Sequence, residues 1–132
     1  MAVDGLVTLE SRRNQTETVE RLIAAVTAHG AAVLACIDHA KAAAAVDLAL
    51  LPTEVVLFGA ARAGTPLMQA VQTMGLDLPL RALVWTDAAG VTRLSYNDPE
   101  WLAERHGAAA GHEATLKAMR QFLAAVAGEA TG

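Results

Sequence analysis

The hydrophobic period along the first third of the chain changes from two to about three and a half and back. Gly5-Leu-Val-Thr-Leu-Glu-Ser11 alternates apolar with polar residues and is rich in strand formers, which predicts a first β-strand. Val19, Leu22, Ile23 and Val26 then recur at helical spacing and define one buried face. Asn14 or Thr16 can cap that helix, Glu17 and Glu20 suit the positive end of its dipole, and His29-Gly30 marks its end. Ala31 to Ile37 is an apolar run of strand length. Asp38 follows as a candidate N-cap for an alanine-rich helix from Ala40 to Leu50, stopped by Pro52. Thr53 to Phe58 predicts a strand buried on both faces.

Farther along, Gly59 to Gly64 reads as a loop, and Thr65-Pro66 as the cap and first residue of a helix that runs to about Thr73 and stops near Gly75. Leu80 to Thr86 and Val91 to Tyr96 flank Asp87-Ala-Ala-Gly90, the pattern of a β-hairpin. Asp98-Pro99 opens a short helix through Arg105, and Ala108-Ala-Ala-Gly111 separates it from a last helix beginning at His112. Leu116, Met119, Phe122, Leu123 and Val126 line one face of that helix. Strands without regular β-α-β alternation favour an α+β domain, with helices on one face of a mostly antiparallel sheet. Neither a repeat nor a linker is visible, so residues 1–127 are expected to form one domain and residues 128–132 a frayed tail. The uncovered sheet face is then free to meet a second copy or a ligand.

Composition narrows the function classes. Ten basic against fourteen acidic residues give a net charge of −4, which argues against a general nucleic-acid binder. Apolar residues make up 54% of the 132, but about 30 of them are alanine, so the mean hydropathy of +0.34 overstates the greasiness. The longest apolar stretch, Ala42 to Leu51, is broken by Asp47 and is too short to span a bilayer. Met1 to Glu10 lacks the basic and apolar regions of a secretory signal. One cysteine, Cys36, excludes an internal disulfide and fits a reducing compartment. The expectation is a cytoplasmic protein with no nucleic-acid or membrane partner.

Six short segments then fall in order at compatible spacing. They are Ile37-Asp38-His39-Ala40, Leu51-Pro52-Thr53, Leu57-Phe58-Gly59, Gly64-Thr65-Pro66-Leu67-Met68, Leu78-Pro79-Leu80 and Tyr96-Asn97-Asp98-Pro99. Together they resemble the domain of unknown function 302 family, widespread in bacteria and archaea, across roughly residues 4–107. The resemblance implies a TATA-binding-protein-like α+β fold of order β-α-β-β-β-β-α with short extra helices, usually seen as a homodimer. It implies no activity, because none is established for the family. One departure stands out: the family often has Asn-Pro after Phe58-Gly59, whereas this chain reads Ala60-Ala61.

Asp38-His39, at the end of a predicted strand and the mouth of a helix, is the sharpest local chemistry. Asp38 can orient the imidazole of His39 as a base or ligand, or it can simply cap the helix. Cys36-x-x-His39, with Met68 as a soft third ligand, lacks the second ligand pair of a structural zinc site, so no metal residues are assigned. Gly59-Ala-Ala-Arg-Ala-Gly64-Thr65-Pro66 looks like a phosphate loop but has no lysine after the second glycine, which rejects a nucleoside-triphosphatase. Free N–H groups after Thr65, with Arg62 nearby, could still hold a small anion. Tyr96 belongs to the Tyr-Asn-Asp-Pro segment, and its hydroxyl could project near His39. Ser11 and Ser95 lie in no nucleophile motif, and His29, His106 and His112, at helix ends or starts, read as exposed or dipole-compatible. The expected function is a small-ligand or anion-binding module built from Asp38, His39, Gly64, Thr65, Met68 and Tyr96. Two alternatives stay open: an enzyme using His39 oriented by Asp38, and a dimeric interaction module with no small-molecule site. No catalytic residue or cofactor is identified.

Overall fold

The computed structural model describes residues 2–132. Its elements are β1 (Leu6–Glu10), α1 (Gln15–Ala28), β2 (Ala32–Asp38), α2 (His39–Ala44), β3 (Thr53–Gly59), α3 (Ala61–Ala70), a 3₁₀ helix (Gln72–Leu76), β4 (Leu80–Thr86), β5 (Thr92–Asn97), α4 (Pro99–His106) and α5 (Glu113–Thr131). The five strands form one sheet in the order β1-β5-β4-β3-β2, antiparallel at every pairing. This is the expected α+β class, with the sheet wholly rather than mostly antiparallel.

Strand register explains why α1 and α5 share one face. Val56 pairs with Ala82 and Ala82 with Tyr96, while Glu54 pairs with Val84 and Val84 with Leu94. Period-two alternation therefore stacks Val56, Phe58, Ala82, Val84 and Leu94 on one side. Leu22 and Val26 of α1 and Leu123, Val126, Ala127 and Ala130 of α5 complete the core there. Each fully buried leucine or valine removed from water contributes about 1.5–3 kcal/mol. A few of the chain's alanines serve this packing: Ala25, Ala127 and Ala130 are buried, and small contact residues let helices approach closely. A second cluster of Leu67, Met74, Ala103, Ala108, Leu116 and Met119 ties α3, the 3₁₀ helix and α4 to the start of α5.

The opposite sheet face carries Ile37, Val55, Leu57, Leu83 and Trp85, exposed or half-buried. At the edge, Gly5 has φ +73° and lies so close to Trp101 that an added Cβ would fall 2.4 Å from the indole. The Gly5 carbonyl accepts from the Asp98 N–H at 2.7 Å, which holds the start of α4 against β1.

Three expectations are corrected. The alanine-rich helix after Asp38 ends at Ala44 rather than Leu50, and Asp47 turns with a positive φ of 61°. Val46 and Leu48 stay exposed, so a short helix with no buried apolar face gains too little tertiary packing to continue. The loop expected over residues 59–64 is helical from Ala61, so Pro66 lies inside α3 instead of opening it. Residues 128–132 do not fray as expected: α5 reaches Thr131, with Ala130 fully buried and Thr131 nearly so.

Candidate functional site

At the β2–α2 junction, Asp38 has the extended backbone of an N-cap, and its carboxylate accepts the Lys41 N–H at 2.8 Å. That bond engages the carboxylate locally. His39 is exposed and makes no hydrogen bond to Asp38, so the aspartate does not orient it. Across the sheet Asp38 pairs with Glu54, and Cys36 lies on the same side of β2. Partial burial and the Asp38 charge push the Glu54 carboxyl above its ordinary value; burial and then Glu54 do the same to the exposed Cys36 thiol. A thiol raised in this way is a poor nucleophile. Among the described residues, no three or more histidine, cysteine or acidic side chains are grouped as a metal would need.

The remaining candidates separate. Gly64, Thr65 and Met68 all lie in α3, whose backbone groups are paired early: the Gly64 N–H already donates to the Ala60 carbonyl at 3.2 Å. The anion cradle expected after Thr65 is therefore absent, because those amides belong to a helix interior. Gly64 and Met68 instead face a groove of about 930 Å³, while Thr65 is exposed and takes no part in its wall. Tyr96 lines a different cavity, beside Asp98, Lys117 and Arg120. Asp38 and His39 line neither. Of the six candidates, only Gly64 and Met68 are brought together.

The groove runs between α3, the start of β2 and the middle of α5. Leu34, Met68, Leu78 and Phe122 form an apolar wall, and His29 and Arg62 also line the groove. Leu34 sits where β2 shifts register against β3, and it is 61% exposed. A bulge of this kind re-aims a side chain. Phe122 is fixed edge-on between Phe58 at 5.9 Å and His29 at 6.1 Å. His29 also meets Glu129 at 3.0 Å, whereas Arg62 has no ion-pair partner among the described residues. The sequence offered a weak signal for this place: Leu34 lies in a run that reads as ordinary core, and only the fold shows that it faces outward.

A polar cluster also escaped the sequence. His106, which the sequence marks as exposed or dipole-compatible, lies in the last turn of α4 with a side chain only 9% exposed. Its Nε2–H donates to Asp77 Oδ2 at 2.5 Å, and Nδ1 lies 3.0 Å from the Thr73 hydroxyl. Arg105 donates to the same Asp77 oxygen at 2.6 Å. These bonds tie α4 to the 3₁₀ segment.

With the sheet order, helix placement and groove in view, comparison with known proteins gives a consistent result. The family model for the domain of unknown function DUF302 matches residues 7–126. This chain belongs to the DUF302 family. A crystal structure of an uncharacterised conserved DUF302 protein from Bacillus stearothermophilus superimposes with a TM-score of 0.86, covering 97% of this chain and 99% of that one at 18% identity. At that identity the likeness concerns the fold. This DUF302 chain is also 46% identical over 115 residues to proteins named fluoride-specific ion channel FluC 1 in Brucella suis biovar 1 and Brucella abortus biovar 1. The match covers 87% of this chain but 45% and 43% of those relatives, so the chain spans less than half their length. Among its described residues, no helix is long and apolar enough to cross a membrane.

Proposed function

We propose that this DUF302 domain is a small-ligand-binding module whose site is the groove between α3, β2 and α5. The observation that carries the reading is the groove itself: about 930 Å³, an apolar wall of Leu34, Met68, Leu78 and Phe122, and Arg62 at the margin without a counter-ion. Concave sites that combine apolar walls with a few polar groups are where proteins hold small molecules. The ligand that fits is an amphiphilic anion, with its apolar body along the wall and its charged end at Arg62. Asp38 and His39, where the sequence pointed, are exposed and outside it. For the relatives named as fluoride channels, the proposal assigns ion conduction to the part this chain does not match and ligand binding to the shared part.

Titration calorimetry with octanoate tests this. Native protein is expected to bind one equivalent, Arg62→Gln to bind about tenfold more weakly, and Ala118→Phe, which fills the groove from an exposed position on α5, not at all. Equal binding by all three proteins would overturn the reading.

A second reading is favoured by the open sheet face, where Ile37 is 44% exposed beside half-buried Val55, Leu57 and Leu83. An apolar face left uncovered by α1 and α5 suits a homodimer. Ile37→Lys together with Leu83→Glu should then convert a dimer into a monomer in native mass spectrometry. A protein that is monomeric before substitution excludes it.

A further inference from the structure

The cavity that holds Tyr96 is separate from the groove and lies on a different side of α5. Met119 and Phe122 of that helix face the groove, whereas Lys117, Arg120, Gln121 and Ala124 face this second cavity, of about 320 Å³, with Val7 of the edge strand β1 opposite. The Tyr96 ring is packed into the main core and the residue is only 9% exposed. Tyr96 nevertheless lines the cavity, and its hydroxyl, which makes no hydrogen bond among the described residues, is reached by solvent there rather than buried. A hydroxyl that faces solvent with no internal partner is free to donate to a ligand.

We propose that this cavity binds a small carboxylate, held by the Tyr96 hydroxyl, the Lys117 ammonium and the Gln121 side-chain amide. The donor set decides the ligand class. Tyrosine and glutamine supply an O–H and an N–H, and Lys117 is a cation with no ion pair among the described residues. Burial, with the Asp98 charge adding to it, holds the phenol above its ordinary value, so the hydroxyl remains a donor through the physiological range. Asp98 is the one wall charge that opposes an anion. It is already engaged, capping α4 through the Glu100 N–H at 3.0 Å and facing Arg120 Nε at 3.4 Å. Arg120 also binds Glu100 at 2.9 Å, so it is shared between two carboxylates, and Lys117 is left as the charge for the ligand.

Size selects further. A cavity of 320 Å³ is at the small end for ligand sites, and Val7 and Ala124 give it an apolar floor for a short alkyl group. A bare halide close to a water molecule in size would occupy only about 30 Å³ of it. Fluoride, the ion in the relatives' name, is therefore a poor fit.

The test is a two-dimensional amide NMR titration with sodium acetate, replacing sodium chloride at constant ionic strength. Saturable shifts are expected at Tyr96, Lys117 and Gln121. Tyr96→Phe, which removes only the unpartnered hydroxyl, and Lys117→Met, a surface change, should each weaken binding about tenfold. Arg62→Gln should leave it unchanged, which separates this site from the groove. Linear shifts, shifts confined to the groove, wild-type affinity in both Tyr96→Phe and Lys117→Met, or a saturable response to sodium fluoride without one to acetate would each overturn the proposal.

Discussion

Charged and polar side chains matter here according to what their neighbours leave them free to do. Asp38 is engaged by the Lys41 N–H, and His39 stands in solvent beside it, so the most suggestive dipeptide of the sequence is a helix cap. Asp77 and His106 are the reverse case: nothing in their spacing marks them, yet the fold brings them to 2.5 Å. Sequence reading finds pairs within an element more readily than pairs between elements, and this pair joins the 3₁₀ segment to the last turn of α4. The hydrogen bond from His106, reinforced by Arg105 and opposed by partial burial, holds the Asp77 carboxyl below its ordinary value. A carboxyl lowered by folding contributes stability above its unfolded pKa and loses that contribution as the pH falls through the folded one. Asp77→Asn should therefore cost about 1.5 kcal/mol at neutral pH, the worth of one charge-assisted hydrogen bond. The gap to native protein should close in urea denaturations taken down to about pH 2. A gap that stays constant across the series would show that the ion pair is not its source.

At the scale of elements, most boundaries were legible because their signals are local. Asn14 caps α1 through the Glu17 N–H at 2.8 Å, and Asp98-Pro99 opens α4 with its carboxylate on the Glu100 N–H. The strands were legible from their alternation, and the hairpin from Asp87 and Gly90. The exception is α3, where the same cap-plus-proline signature misled. Thr65-Pro66 has the sequence of a helix start but lies in the fifth and sixth helical positions, and the true N-cap, Ala60, offers no side-chain acceptor. The tertiary position of Leu67, fully buried in the second cluster, sets the helix despite a poor local start. Ala60-Ala61 also stands where the resembled family often has Asn-Pro, and the fold makes these positions the N-cap and the first helical residue. An asparagine there would accept from an otherwise unpaired N–H. Ala60 already has the extended backbone of a cap, φ −132° and ψ 128°. Ala60→Asn should stabilise the domain by about 1 kcal/mol, read as a higher urea midpoint with an unchanged slope. An unchanged or lower midpoint would mean that the start of α3 is held by something other than its cap.

At the scale of the whole molecule, the last turn of α5 closes the structure. From sequence, Gly128 and the small residues after it read as an end, because glycine commonly follows a helix. What the sequence does not display is that α1 and the segment leading into it lie alongside. The Arg12 N–H donates to the Thr131 carbonyl at 2.9 Å, and the Arg21 guanidinium to the Glu129 carbonyl at 2.8 and 3.1 Å. Such partners satisfy carbonyls that a helix C-terminus leaves open. Ala130 packs in the main core with Leu22 and Val26, so removing the turn both exposes that core and orphans its donors. Deleting residues 129–132 should therefore cost about 2 kcal/mol, from lost apolar burial plus one or two net hydrogen bonds. For a domain of this size that corresponds to a fall in Tm of roughly 6–8 °C by calorimetry. The same deletion removes Glu129, the hydrogen-bond partner of His29, so it should free the His29 ring that lines the groove. Octanoate binding to the truncated protein, measured below its lowered Tm, should be equal to or tighter than binding to the native chain. Weaker binding by a folded truncation would place the groove's integrity under the control of this turn rather than of α3 and Phe122.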